Sequence, residues 1–209
     1  MFYFFEHLFK ILEQFKNFLF LFFNRMLFDD PLNRCIKIVL NNPHASFSVR
    51  SLSKKAKVSI GTAHKALKIM RSLHLVKFHK VGPTYQHTVN QNNYLTKYFK
   101  ILLNLVELQQ KLFSQLSREF SDAYAILLYG SYADGTNDEK SDIDILIITD
   151  KKKKISQTIF KKVKAEINIL QYTWKEWRQL SKTNKAFYKS VIDNSIIILG
   201  EKPIIKCRK

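Results

Sequence analysis

The sequence predicts an α+β protein in two parts: a basic, helix-rich N-terminal part that closes on a β-hairpin, then a small mixed β-sheet with flanking helices. Three observations predict this. Between Pro31 and Leu73 apolar residues recur at helical spacing, interrupted at Asn41-Asn42-Pro43 and Val58-Ser59, and two short β-rich runs then flank Gly82-Pro83. From Leu95 to Phe120 apolar residues again recur at helical spacing. From Ala123 to Asp150 the chain reads as an apolar strand, a Gly-Ser turn, a polar segment and a second apolar strand that is entered through Asp142 and Asp144.

At 209 residues the chain can hold one large or two small domains. Its formal charge of +18 is unevenly placed. Val49 to Lys80 contains nine Lys or Arg residues and no acid, a concentration that favours a polyanionic partner. The abundance of Lys, Asn, Ile and Phe reads as a coding bias, which accounts for some of the charge but not for the local absence of acids. Cys35 and Cys207 have no metal-type neighbours and suggest no disulfide framework, so a reducing, cytoplasmic setting is expected.

Residues 1–28 form an apolar segment in which Phe2, Phe5, Phe9, Leu12, Phe15, Leu19, Phe22 and Met26 would share one stripe of a helix. Glu6, Lys10, Glu13 and Lys16 interrupt it, and Phe18–Phe23 falls far short of the roughly 18 apolar residues a membrane span needs, so a membrane partner is not expected. Neither the early positive charge nor the cleavage site of a secretory signal is present. Three readings stay open: a helix packed on the protein or a partner, an interfacial helix, or an upstream extension of the reading frame. The last is favoured, because Met26-Leu27-Phe28 precedes the next domain's natural start.

Residues 29–92 form the first expected domain. Asp29-Asp30-Pro31 starts a helix with Leu32, Cys35, Ile36, Val39 and Leu40 inward. Phe47-Ser48-Val49 reads as extended, Arg50–Lys57 as a second helix, and Ile60–Leu73 as a third with Ala63, Leu67 and Met70 inward. Leu75–Phe78 and Tyr85–Val89 read as strands joined through Gly82-Pro83. This order resembles the winged helix-turn-helix of bacterial and archaeal transcription regulators. The resemblance implies double-stranded DNA as a partner, with the third helix in the major groove. Ser59, Thr62 and His64 would then reach base edges, while Arg50, Lys54, Lys65, Lys68 and Arg71 hold phosphates and Lys80 lies on the wing. A winged helix used only for protein contact is the competing reading.

Residues 93–121 read as a connecting helix whose long apolar stripe packs on the following sheet, with homodimerisation as a further use. Residues 122–209 form the last domain. Asp142 and Asp144, two apart on a strand, project to one face about 6–7 Å apart along the backbone. Two carboxylates that close repel unless a cation stands between them, and hard divalent cations take such oxygens together with substrate phosphates. Gly130-Ser131 upstream is a strand-to-helix turn whose N–H groups can face an anion. After the run Lys151–Lys154, read mainly as a solvated loop, a short helix is expected over Ile155–Lys164 and a strand over Glu166–Tyr172. Thr173 then caps a helix, Ala186–Ile192 forms another, Asp193-Asn194 turns, and Ser195–Leu199 ends the sheet.

The Gly130-Ser131 turn followed by Ser141-Asp142-Ile143-Asp144 resembles the minimal nucleotidyltransferase domains of the DNA polymerase beta superfamily. The resemblance implies Mg²⁺ or Mn²⁺ on Asp142, Asp144 and a third carboxylate, with Gly130, Ser131 and Ser141 at the nucleotide. ATP is the first expectation among the nucleotides. The third carboxylate is assigned to Glu166, which shares a strand face with Asn168; if the position falls on Asn168 instead, the site binds nucleotide yet transfers poorly. The family's Ala-Arg-Gly turn is here Ala133-Asp134-Gly135, which removes a cation. The resemblance implies transfer of a nucleoside monophosphate to a hydroxyl acceptor, for which a HEPN-type toxin is one candidate. The competing reading is a DNA-binding regulator whose transferase domain is a weakly active or inactive nucleotide sensor or dimerisation module.

Overall fold

The structure is a computed structural model that describes residues 31–156 and 163–205. Contacts divide the chain after Asn90 into two compact units. The apolar segment 1–28, the acids Asp29 and Asp30, and Cys207 lie outside the described residues.

In the first unit, α1 (Pro31–Leu40) buries Cys35, Ile36, Val39 and Leu40. Ser48 caps α2 (Val49–Ala56) in a reciprocal arrangement with Ser51, and Lys57 ends it in the left-handed conformation at φ 53°. Ser59 caps α3 (Ile60–Ser72), which buries Ala63, Ala66, Leu67 and Met70. The extended piece expected at Phe47–Val49 shrinks to one bridge. Phe47 exchanges both backbone hydrogen bonds with His87 at 2.9 Å, and Ser48 and Val49 are already the cap and first turn of α2. Strands β1 (Val76–Val81) and β2 (Thr84–Val89) pair antiparallel down to Val81–Thr84, so the turn narrows to Gly82-Pro83. Gly82 takes φ +56°, as a two-residue hairpin connection demands. His87 is buried against the Phe47 carbonyl, and burial pushes its pKa down.

In the second unit the long helix is not continuous. It runs as α4 (Tyr94–Leu108), a π-helical turn (Gln109–Phe113) and α5 (Ser114–Glu119). Leu112 and Phe113 of the π turn are both buried in the core. Strands β3 (Ala125–Tyr129), β4 (Ile143–Ile148), β5 (Ile167–Tyr172) and β6 (Ile196–Gly200) form a mixed sheet in the order β5-β4-β3-β6. β4 pairs parallel with β5, and β3 pairs antiparallel with β4 and β6.

Both sheet faces are covered, so β3 and β4 read as near-continuous apolar runs. Ile126, Leu128, Ile143, Ile145 and Ile147 pack with Leu108, Leu112, Phe113, Leu116 and Phe120 of the long helix. Leu127, Leu146 and Ile148 pack on the other face with Trp177 and Val191. These come from α7 (Trp174–Thr183), capped by Thr173 and Glu176, and α8 (Lys185–Asn194). Trp177 is fully buried and donates its ring N–H to the Pro203 carbonyl at 2.7 Å.

Several expectations shift. Asp193 and Asn194, read as a turn, finish α8, because burying Val191 holds the last turn in helix. The helix expected over Ile155–Lys164 falls largely on residues 157–162, outside the described part, and its described ends are not helical. The lysine run is not simply solvated: Lys152 pairs with Glu176 at 2.7 Å and Lys153 with Asp122 at 2.6 Å. These cations hold the two carboxyls below their ordinary range.

Candidate active site

The site grows from the end of β3. After Tyr129 the chain turns at Gly130 with φ +69° and ψ −156°, a region open in practice only to glycine. A Cβ there would run into the Asp144 carboxylate, whose Cγ would stand 3.2 Å away. The missing side chain therefore lets the turn and Asp144 share one space. Ser131 to Asp134 form α6, a single helical turn, closed by Gly135 at φ +75°. The Asp134 carboxylate accepts from the Thr136 amide at 3.0 Å and from its hydroxyl, so this acid closes the turn locally.

The polar segment then leads to the aspartates. Ser141 donates its hydroxyl to Asp138 at 2.9 Å and accepts from the Asp138 amide, while the Lys140 amide also binds Asp138. The expected nucleotide contact Ser141 thus has a place within its own turn. Asp142 is exposed just ahead of β4, and the half-buried Asp144 lies within it. Asp144 is flanked in register by Tyr129 on β3 and Asn168 on β5. Burial raises the Asp144 pKa above the usual carboxylate range, a hydrogen bond from Asn168 opposes this, and the Asp142 charge adds to the rise. Burial, with Asp144 beside it, pushes the Tyr129 phenol up to about 12.

Opposite Asp144 on β5 stands Asn168. Its side-chain amide donates to Asp142 at 3.4 Å and to Asp144 at 3.3 Å, long bonds that bridge the two carboxylates. Glu166, the expected third carboxylate, is exposed one residue before β5. Its backbone carbonyl accepts from the Ile143 amide at 2.8 Å. Among the described residues no group of three or more His, Cys, Asp or Glu converges to hold a metal ion. Parallel pairing sets Asp144 opposite Asn168, and Glu166 falls two residues earlier, at the sheet's end.

Sequence reading missed Tyr129, and it missed the buried Lys100, Asn104 and Asn137 that lie behind the turn. A signal for the helix residues exists: Thr96, Lys100 and Asn104 recur every four residues on α4 and are all buried.

In the first unit every expected DNA contact except the half-buried Thr62 is exposed. Ser59 accepts from the Thr62 amide at 3.1 Å as the cap of α3. His64, Lys68 and Arg71 line a groove of about 800 Å³ with Lys77, Phe78 and Tyr85, and no acid lines it. The Arg71 guanidinium lies 3.5 Å over the Phe78 ring. Arg50, Lys54, Lys65 and Lys80 stand outside this groove.

Residues 109–205 match the family model described as nucleotidyltransferase domain. The match begins at the π turn and takes in the Gly-Ser turn, both aspartates and β5, and it supports nucleotidyl transfer as the activity class of the second unit. No curated protein matches the chain. Among solved structures, reduced HlyU from Vibrio cholerae N16961 is 18% identical over 53% of this chain and 96% of its own, with a TM-score of 0.29, too low to define a shared fold.

Replacing Gly130 tests the shared space directly. Gly130→Ala should destabilise the second unit by about 1–3 kcal/mol, since the new methyl group meets both a glycine-only conformation and a carboxylate. Both tryptophans, Trp174 and Trp177, lie in this unit, so denaturant unfolding followed by tryptophan emission reads it. An unchanged midpoint would contradict the packing of turn on Asp144.

Proposed function

We propose that the second unit is a metal-dependent nucleotidyltransferase that moves a nucleoside monophosphate from a nucleoside triphosphate, ATP first, to a hydroxyl acceptor. The observation that carries this reading is the Asp142–Asp144 pair set against the Gly130-Ser131 turn within a segment that matches the nucleotidyltransferase family model. The donor set suits a hard divalent cation. The two carboxylates, which the Asn168 amide bridges, offer oxygen ligands, and substrate phosphates would complete the shell. Asp142 and Asp144 would hold Mg²⁺ or Mn²⁺, which supplies neutralisation of the triphosphate charge and polarisation of the α-phosphate.

The chain's own groups do the rest. Backbone N–H groups at Gly130 and Ser131 would face the triphosphate. The acceptor oxygen bonds to the α-phosphorus while the bond to the β-phosphate oxygen breaks, and pyrophosphate leaves with that electron pair. Asn168 cannot accept the hydroxyl proton, so an exposed carboxylate, Asp142 or Glu166, would receive it. A protein hydroxyl, such as that of a HEPN-type toxin, is one acceptor in keeping with the resemblance.

A second reading rests on the first unit. Three helices and a hairpin, with an acid-free groove that includes His64, Lys68 and Arg71, support a winged helix that binds duplex DNA and localises the transferase. Asn168 opposite Asp144 also supports the variant in which the second unit is a weakly active nucleotide sensor of a regulator.

Transfer of label from α-labelled ATP, with Mg²⁺ or Mn²⁺ and a candidate acceptor present, tests the first reading. Asp142→Ala and Asp144→Ala should each lower it by at least about 100-fold; label transfer that persists in both variants would overturn the site. For the second reading, duplex affinity should fall by about 10³ between roughly 50 and 200 mM salt if some six phosphates are contacted. Affinity indifferent to salt would refute it.

A further inference from the structure

We propose that Lys100 and Asn104 of α4 are positioning residues for the Gly-Ser turn, so that the working transferase unit begins on this helix, ahead of the segment the family model matches. The proposal rests on the transferase reading for its consequence and on geometry for its substance.

α4 ends at Leu108, and the matched segment begins at Gln109. Even so, α4 forms one wall of the loop that carries the site. Lys100, 4% exposed, donates its ammonium to the Asn137 backbone carbonyl. One turn on, Asn104 donates from its amide nitrogen to the Tyr132 carbonyl at 3.1 Å and to the Asn137 side-chain oxygen at 2.8 Å. Asn137 is itself 1% exposed. Gly135 completes the contact, since a Cβ there would stand 2.8 Å from the Lys97 carbonyl. Tyr132, Gly135 and Asn137 thus rest on successive turns of one helix, and between them they fix the segment from the Gly-Ser turn to the Asp pair.

Burying an amine is costly, and desolvation lowers the Lys100 pKa despite the opposing charges of Asp138 and Asp134. Lys100→Met or Asn104→Leu removes a donor and leaves its buried loop acceptor behind, so some loss of stability accompanies the loss of positioning. What those replacements would lack is the set of donors that fixes three loop oxygens.

Full-length Lys100→Met and Asn104→Leu test this through two readouts. Amide hydrogen exchange without nucleotide should quicken by about tenfold or more over residues 130–138 while β3 and β4 keep their protection. MgATP affinity, by titration calorimetry, should weaken by about tenfold in both variants. Lys111→Met, which breaks the half-buried Lys111–Glu107 pair at 2.5 Å on the same helical stretch, should leave both readouts at wild-type values. Unchanged exchange over 130–138 in both variants, with either one folded, overturns the proposal. A wild-type protein that binds no nucleotide contradicts the transferase reading instead, and the exchange readout still decides whether the helix holds the turn.

Discussion

The parallel pairing of β4 with β5 is the constraint on which the candidate site depends. It sets Asp144 opposite Asn168 and leaves Glu166 outside, at the end of the sheet. A neutral amide therefore stands opposite Asp144, and it bridges the two aspartates. The same strand pairing puts Tyr129 on the other side of Asp144, and burial there raises both acids. Two carboxylates at the rim of the sheet are bridged by a neutral amide, and among the described residues neither is in an ion pair with a cation. That uncompensated charge is the physical reason for reading the pair as a cation and phosphate site.

Local chemistry was legible where it depends on neighbours in sequence. Ala63, Leu67 and Met70 marked the inward face of α3, Thr173 marked the cap of α7, and the Gly-Ser turn with the Asp pair marked the site. What required pairing between distant segments was not legible. Choosing Asn168 over Glu166 depends on the register of strands 24 residues apart. The π turn at Gln109–Phe113 was not legible either, since apolar periodicity does not distinguish it from a regular helix. Asp193 and Asn194 have turn chemistry by residue type, and burial of the neighbouring Val191 overrides it.

Polar residues inside apolar stripes had the strongest hidden consequence. Thr96, Lys100 and Asn104 were passed over because the helix was read for its apolar face, yet two of them hold the loop behind the site. The lysine run after Asp150 gave the opposite lesson. Two of its four cations are committed to Glu176 and Asp122, so counting charges overstates what is free for a polyanion there. In the first unit the acid-free groove beside α3 concentrates the positive charge that the composition spread more widely.

The central claim is that Asp142, Asp144 and Asn168 form one cation-responsive cluster. Thermal unfolding of wild type and Asn168→Asp, followed by tryptophan emission in EDTA and then in Mg²⁺, tests it most directly. The third carboxylate removes the bridging donors and adds repulsion, so the variant should melt below wild type in EDTA. Mg²⁺ should then raise its midpoint by more than it raises that of wild type. Equal midpoints in EDTA, with no Mg²⁺-dependent rise in either protein, would contradict the claim.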